Sequence, residues 1–390
     1  MYYKFATSVL KLYKIYSYYK KYKYKCGSGN MNKMLFTPGP TNVPEDIRRE
    51  LAKDMIHHRT ADFEAIFDGL GQKLKKIFKT EEDVISLGCS GTGVMETSVV
   101  NLFSKGEKVL VINAGYFGER FGDISRVFGL EVIELKYAWG KSYNLDEVKE
   151  VIKNNPDLKG ILVQYSETST GVLHNVKALG ELTKDTDILL VVDNISALVV
   201  NPFEFDGWSV DCSIAGSQKG FFMPPGLSFI TLSKKAKEAM KKSDLPKFYF
   251  DLKKYYKALE GKQSPWTPPI GLIMAADYSC KKILDRGLET IQAHHKDLRK
   301  YVEKELIALG FGLFVEKEEN RGNTLVSLLG NDKIDTKVII KRLDSEYNYS
   351  VAGGQGEYAG KLIRVGCIGE LTKEDIVNLV NAIKTIVSTM

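Results

Sequence analysis

The chain has 390 residues but only five cysteines and five histidines. The cysteines, Cys26, Cys89, Cys212, Cys280 and Cys367, are scattered, odd in number and never in a CxxC pair. That excludes a disulfide framework and a zinc ribbon, points to a reducing, cytoplasmic compartment, and leaves no metal site to expect. No apolar run approaches the length that spans a bilayer. There is no GxGxxG turn, and no Gly-Lys-Ser/Thr follows the glycine-rich stretch at 88–93, so neither a dinucleotide fingerprint nor a P-loop is present. A basic surface is lacking too. The net charge is +6, but residues 1–30 hold seven lysines, no arginine and no acid. The rest of the chain is therefore near neutral and carries no nucleic-acid footprint.

Residues 1–30 are rich in Tyr and Lys, without the apolar core and small-residue cleavage site of a secretory signal or the arginines of an organellar one. They read as a leader outside the fold, with Met31 or Met34 as alternative starts. Residues 31–50 then form an N-terminal arm.

From Leu87 onward apolar runs alternate with helical patterns. KVLVIN (108–113), EVIELKY (131–137), GILVQYS (160–166), ILLVVD (188–193), CSIAGS (212–217) and LSFITLS (227–233) read as strands, several apolar throughout as in a sheet buried on both faces. Helical stretches separate them, one opened by Asn144 with Glu147 three residues on. The alternation predicts a doubly wound, mainly parallel α/β domain over 51–270. A long amphipathic stretch (271–310), then strand, helix, strand and helix, predicts a smaller α+β domain over 271–390, with SPWTPP as a rigid loop near the junction.

In such sheets ligands bind beyond the carboxyl ends of the strands. Four features fall there. LGCSGTGVME (87–96) turns a strand into a helix through Ser90, Gly91 and Thr92. It is either a plain turn or a phosphate cup at a helix N-terminus. Asp193 closes an apolar strand, as a helix cap or as a carboxylate awaiting a cation. Lys219 sits in small, turn-prone AGSQKGF, where a lysine is ordinarily solvated. Arg364 lies in KLIRVGCIG, as a surface ion pair or as a two-pronged carboxylate clamp. One chemistry uses all four. Pyridoxal phosphate needs a lysine amine, a phosphate cup and an acid at its pyridine nitrogen, and an amino-acid substrate brings a carboxylate for the arginine.

At these residues the sequence resembles the class V, fold type I pyridoxal-phosphate aminotransferases, and within them the alanine–glyoxylate and serine–pyruvate group. FTPGPTNVP, HHRTADFEAIF, GCSGTGVMETSVVNLF, NAGYFGERF, ETSTGVL, VVDNISAL, GSQKGFFMPPGL, SPWTPP and IRVGCIGE carry the likeness in order, from about Leu35 to the C-terminus. The resemblance implies transamination from alanine or serine to glyoxylate or pyruvate by a ping-pong mechanism. Lys219 would join the cofactor and carry the proton, and Asp193 would hold the pyridine nitrogen. Ser90, Gly91, Thr92 and Gln218 would bind phosphate, and Thr168 would lie near the ring hydroxyl. Phe117 takes the ring-stacking position where a tryptophan often stands. Thr267 would reach the phosphate of a neighbouring subunit, implying a homodimer, although Ser264 replaces a tyrosine that some relatives carry before it. Arg364 would clamp the substrate carboxylate, with the backbone of Pro38, Gly39 and Pro40 lining the pocket.

Three rivals are weaker. A desulfurase or lyase of the same fold has histidines where Gln218 and Phe117 stand and needs a mobile nucleophilic cysteine, for which Cys367 is the candidate. Tyr137 and Lys141 have the spacing of a short-chain dehydrogenase pair, without its glycine fingerprint. A non-catalytic binding protein would lack the lysine, acid and arginine together. An aspartate donor stays open, with Arg59 or the N-terminal part supplying a second cation.

Overall fold

The computed structural model describes residues 33–390; the leader and the Met31 start lie outside the described residues. The first half runs β1 (Met34–Phe36), α1 (Glu45–Leu51), α2 (Ala61–Phe78), β2 (Val84–Leu87), α3 (Gly91–Leu102), β3 (Lys108–Asn113), α4 (Tyr116–Val127) and β4 (Glu131–Lys136). It continues through α5 (Leu145–Asn154), β5 (Leu158–Gln164), a short hairpin of β6 (Ser166–Glu167) and β7 (Val172–Leu173), and α6 (Val176–Thr183). Then come β8 (Leu189–Asp193), β9 (Cys212–Gly216), β10 (Ser228–Leu232), α7 (Lys234–Lys242) and α8 (Leu252–Leu259). The remainder is α9 (Ile270–Arg286), α10 (Leu288–Ala308), β11 (Gly312–Leu313), β12 (Leu325–Leu329), α11 (Thr336–Tyr347), β13 (Tyr349–Gly353), β14 (Leu362–Gly366) and α12 (Lys373–Ser388).

A seven-stranded sheet has the order β2-β10-β9-β8-β5-β3-β4. β3, β4, β5, β8 and β9 pair in parallel, whereas β10 runs antiparallel to both β9 and β2. The expected mainly parallel sheet is present, with one reversed strand that periodicity could not show. Every residue of β2, β8, β9 and β10 is buried, because helices cover both faces. One hydrophobic cluster includes Phe63, Leu70 and Leu74 of α2 against Leu190 and Val192 of β8. The other includes Val94 and Val99 of α3 against Val191 and Ile214. Alternate residues of β8 thus face opposite layers.

The expected six strands match β3, β4, β5, β8, β9 and β10 within two residues. The long amphipathic stretch is indeed two helices. Gly287, at φ 83°, divides α9 from α10 in a backbone conformation that L side chains rarely adopt. The second sheet, β1-β13-β14-β12-β11, takes its last four strands from 312–366 and its first edge from the N-terminal arm. Asn42 fixes that arm with two side-chain hydrogen bonds to the Leu35 backbone. No helix among the described residues is long and apolar enough to cross a membrane.

Candidate active site

Every parallel strand of the large sheet delivers its carboxyl end to one side, and β2, antiparallel to the reversed β10, shares that direction. Ser90 follows β2, Phe117 follows β3, Thr168 follows β6 just beyond the end of β5, Asp193 ends β8 and Lys219 follows β9. These loops enclose a cavity of about 250 Å³. Gly39, Ser90, Gly91, Thr92, Phe117 and Thr168 line it, together with Asp193, Gln218 and Lys219. Nine of the eleven residues singled out in the sequence thus meet at one place, from six separate segments.

Lys219 is buried, contrary to the ordinary habit of a lysine after a strand. Its Nζ donates to the Pro38 carbonyl at 2.7 Å. The arm holding Pro38 is tied to the lysine loop by Thr41, whose amide donates to the Gln218 carbonyl at 3.2 Å. Burial pushes the Lys219 amine down to about 8; the Asp193 carboxylate opposes that shift, and the Arg364 charge adds to it. Asp193 is also buried, and burial drives its carboxyl up to about 7. The Ile195 amide, donating to Oδ1 at 3.0 Å, pulls the other way. An acid and an amine therefore face one cavity with their pKa values drawn toward neutrality, the pattern of a site that handles protons.

The start of α3 lines the same cavity. Ser90 caps it, its Oγ accepting from the Gly93 amide at 3.4 Å, and the first-turn amides have no intrahelical acceptor. A Cβ on Gly91 would meet Ile195 Cδ1 at 2.8 Å, so the helix start packs against the loop that follows Asp193. Gln218 reaches the same cavity, and its buried Oε1 has no hydrogen-bond partner among the described residues.

Two predicted residues stand back from the cavity. Arg364 donates from Nη1 to the Thr168 carbonyl at 2.6 Å and from Nε to the Gly353 carbonyl at 2.8 Å, leaving its Nη2 group as the remaining prong. Thr267 is exposed on the SPWTPP loop. Arg59 is committed to that same region, donating to Gln263 Oε1 at 2.8 Å and to the Ser264 carbonyl at 3.0 Å, and it does not line the cavity.

Two residues escaped the sequence reading. Glu167 is fully buried. Its Oε2 accepts from the amides of Phe117 and Gly118, each at 3.0 Å, and its Oε1 from the Ser169 amide at 3.0 Å and hydroxyl at 2.6 Å. Burial raises its carboxyl above the ordinary value while those four donors pull it back. It caps α4, the helix that presents Phe117. Arg120, one turn further along α4, lines the cavity and donates to Thr92 Oγ1 at 3.1 Å. The ETSTG and YFGER stretches contained both, but a lone acid or arginine in a loop reads as solvated.

The rivals lose support. Cys367 is fully buried, its Sγ directed at the Val365 carbonyl, and burial drives its thiol far above the ordinary value. A thiolate nucleophile requires the reverse. Tyr137 bonds Glu147 and Lys141 bonds Glu316, so that spacing forms no pair.

Comparisons with known proteins identify the family. The aminotransferase class-V family profile matches residues 36–379. The chain is similar to the L-aspartate–glyoxylate aminotransferase of Paracoccus denitrificans, 32% identical, covering 87% of each chain. It is equally similar to the serine–glyoxylate aminotransferase of Methylorubrum extorquens, 32% identical over 87% of each. The crystal structure of an alanine–glyoxylate aminotransferase from a Nostoc species superposes with a TM-score of 0.87, at 30% identity, over 92% of this chain and 96% of that one.

Proposed function

We propose that this chain, which belongs to the aminotransferase class-V family and is an aminotransferase, moves an amino group from alanine or serine to glyoxylate or pyruvate by a ping-pong exchange. The observation that carries this reading is the meeting of buried Lys219, buried Asp193 and a capped helix start in one cavity.

The family depends on pyridoxal phosphate, and the residues present fit that group. The helix start of Ser90, Gly91 and Thr92 suits a phosphate. The buried Gln218 Oε1, unpartnered among the described residues, leaves an acceptor for a donor on a polar ligand. Gly39 leaves room beside Lys219 that any Cβ would fill. When bound, the cofactor supplies an aldehyde that takes up an amino group and a ring that accepts the electron pair left at Cα. Lys219 would hold the cofactor and, once displaced by the donor, move the proton between Cα and C4′. Its lowered pKa keeps a usable fraction of free amine near neutral pH. Asp193 would face the pyridine nitrogen as its anionic partner. Phe117 would stack on the ring, Thr168 would lie near its hydroxyl, and Arg364 would offer its Nη2 group to the substrate carboxylate.

Thr267 would complete the phosphate site of a second copy, which makes the enzyme a homodimer with shared sites. The exposed Phe248 beside stacked Trp266 on the same surface supports that assembly. The four described cysteines are free and three of them, Cys212, Cys280 and Cys367, are buried, which supports a reducing, cytoplasmic setting.

The test is spectroscopic and steady-state. Purified protein should absorb in the visible region. That band should change on adding L-alanine or L-serine and return on adding glyoxylate or pyruvate. A panel of donors, L-aspartate included, then ranks the substrates. A colourless protein inert to all donors would overturn the proposal.

A further inference from the structure

Arg120 has no role in the chemistry described so far, yet it stands in the wall of the cavity. We propose that Arg120 is the cation that neutralises the cofactor phosphate in the cup at the start of α3. The inference rests on the pyridoxal-phosphate reading of the site and adds a residue to it.

Position comes first. Arg120 Nη1 lies 3.1 Å from Thr92 Oγ1, and Thr92 is the second residue of α3. The guanidinium is therefore within one hydrogen bond of the cup itself. Its carbon lies 4.8 Å from the Phe117 ring centroid and 5.2 Å from that of Tyr116. Aromatic contact holds a guanidinium in place without using its donors. Of five N–H groups, the bond to Thr92 uses one, and the others remain for an anion. Because Arg120 gives its hydrogen to Thr92 Oγ1, the threonine hydroxyl is free to donate its own hydrogen into the cup.

Charge balance comes second. A phosphate monoester carries roughly −1.5 to −2 at neutral pH, and a helix N-terminus offers about +0.5. Ser90, Gly91, Thr92 and Gln218 add no formal charge. Of the residues lining the cavity, the cations are Lys219 and Arg120. Lys219 is engaged with the Pro38 carbonyl and lies beside Asp193, whose carboxylate the Arg120 charge also stabilises. Arg120 is thus the cavity cation left to balance the phosphate.

The test uses holoenzyme resolved to apoprotein, then titrated separately with pyridoxal phosphate and with pyridoxal, which lacks the phosphate. Arg120→Gln should weaken pyridoxal phosphate about 10- to 100-fold, the loss expected of a charged hydrogen bond, and leave pyridoxal within about twofold of wild type. Inorganic phosphate should compete with pyridoxal phosphate in the wild type and much less in the variant. Arg120→Lys, which keeps the charge, should recover most of the affinity; if Arg120→Gln does not fold, that recovery is the deciding measurement. An equal loss for both ligands would make Arg120 a support for Phe117 alone and overturn the proposal. So would unchanged cofactor affinities with a selective loss of turnover on L-aspartate. Wild-type protein that binds no pyridoxal phosphate would instead overturn the reading of the site.

Discussion

Lys219 Nζ donates to the carbonyl of Pro38 at 2.7 Å, across 181 residues of sequence. The bond joins the N-terminal arm to the loop after β9, and Gly39 makes it possible. At φ 134° Gly39 occupies backbone space that L side chains avoid, and a Cβ there would overlap Nζ, Cε and Cδ of Lys219. Gly39→Ala should therefore displace the lysine and lower transamination by at least about 100-fold, the scale of losing one positioned acid–base group. Stability should fall by about 1–3 kcal/mol from backbone strain. Steady-state rates and thermal melts of the same preparation check both.

The acid and amine predict a pH signature. Lys219 titrates at about 8 rather than near 10.5, so its free fraction rises through pH 8. The rate at which apoprotein takes up pyridoxal phosphate should rise through that pH, and Asp193→Asn, which removes the opposing charge, should shift the rise lower. Asp193 has its folded pKa raised, from 3.8 to about 7. The folded protein then holds a proton that the unfolded chain has lost, and stability falls as pH climbs across that interval. Lys219 acts in the other sense. Its folded pKa is depressed, so stability recovers as pH rises from about 8 toward 10.5. Asp193→Asn apoprotein should lose the lower slope and be more stable than wild type at pH 7.5, by on the order of 1 kcal/mol. Denaturant melts across pH 4–10 measure this.

Glu167 predicts a structural cost with a functional echo. Its carboxylate accepts from four buried donors that begin α4 and the loop after β6. Glu167→Ala strands those donors and should cost about 3 kcal/mol or more. Glu167→Gln, which keeps the shape but turns an NH2 toward donors, should cost less. In both, Phe117 loses its fixed position, so the circular dichroism of bound cofactor should weaken even where binding is restored by excess.

Cys367 separates transamination from desulfuration. A buried thiol with a raised pKa cannot supply a thiolate. Cys367→Ala should keep transamination within about threefold, with any loss traceable to the small cavity it leaves. Sulfide release from L-cysteine should be negligible in the wild type and unchanged in the variant.

Much of this was legible in the sequence, for identifiable reasons. Strands buried on both faces must be apolar throughout, so β3, β5, β8, β9 and β10 announced themselves, and the residues at their ends followed. Lys219, Asp193 and the Ser90 turn were individually ambiguous and became specific together. The reversed direction of β10 was not legible, because side-chain period is the same in either direction. Nor was the reach of the N-terminal arm, since a three-residue strand such as β1 has no pattern to read. Glu167 and Arg120 were missed because their meaning lies in partners distant in the chain. Glu167 lies 50 residues from the Phe117 amide it accepts, and Arg120 lies 28 from Thr92. Thr267 does not line the cavity, and its role rests on the homodimer proposed above.

The most direct test is borohydride trapping of the wild-type protein loaded with pyridoxal phosphate, followed by peptide mass mapping. The account predicts a single reduced cofactor adduct on the ε-nitrogen of Lys219, absent in Lys219→Ala, which should also lose turnover by several orders of magnitude. An adduct on any other lysine, or an unlabelled Lys219 in protein that transaminates normally, would contradict it.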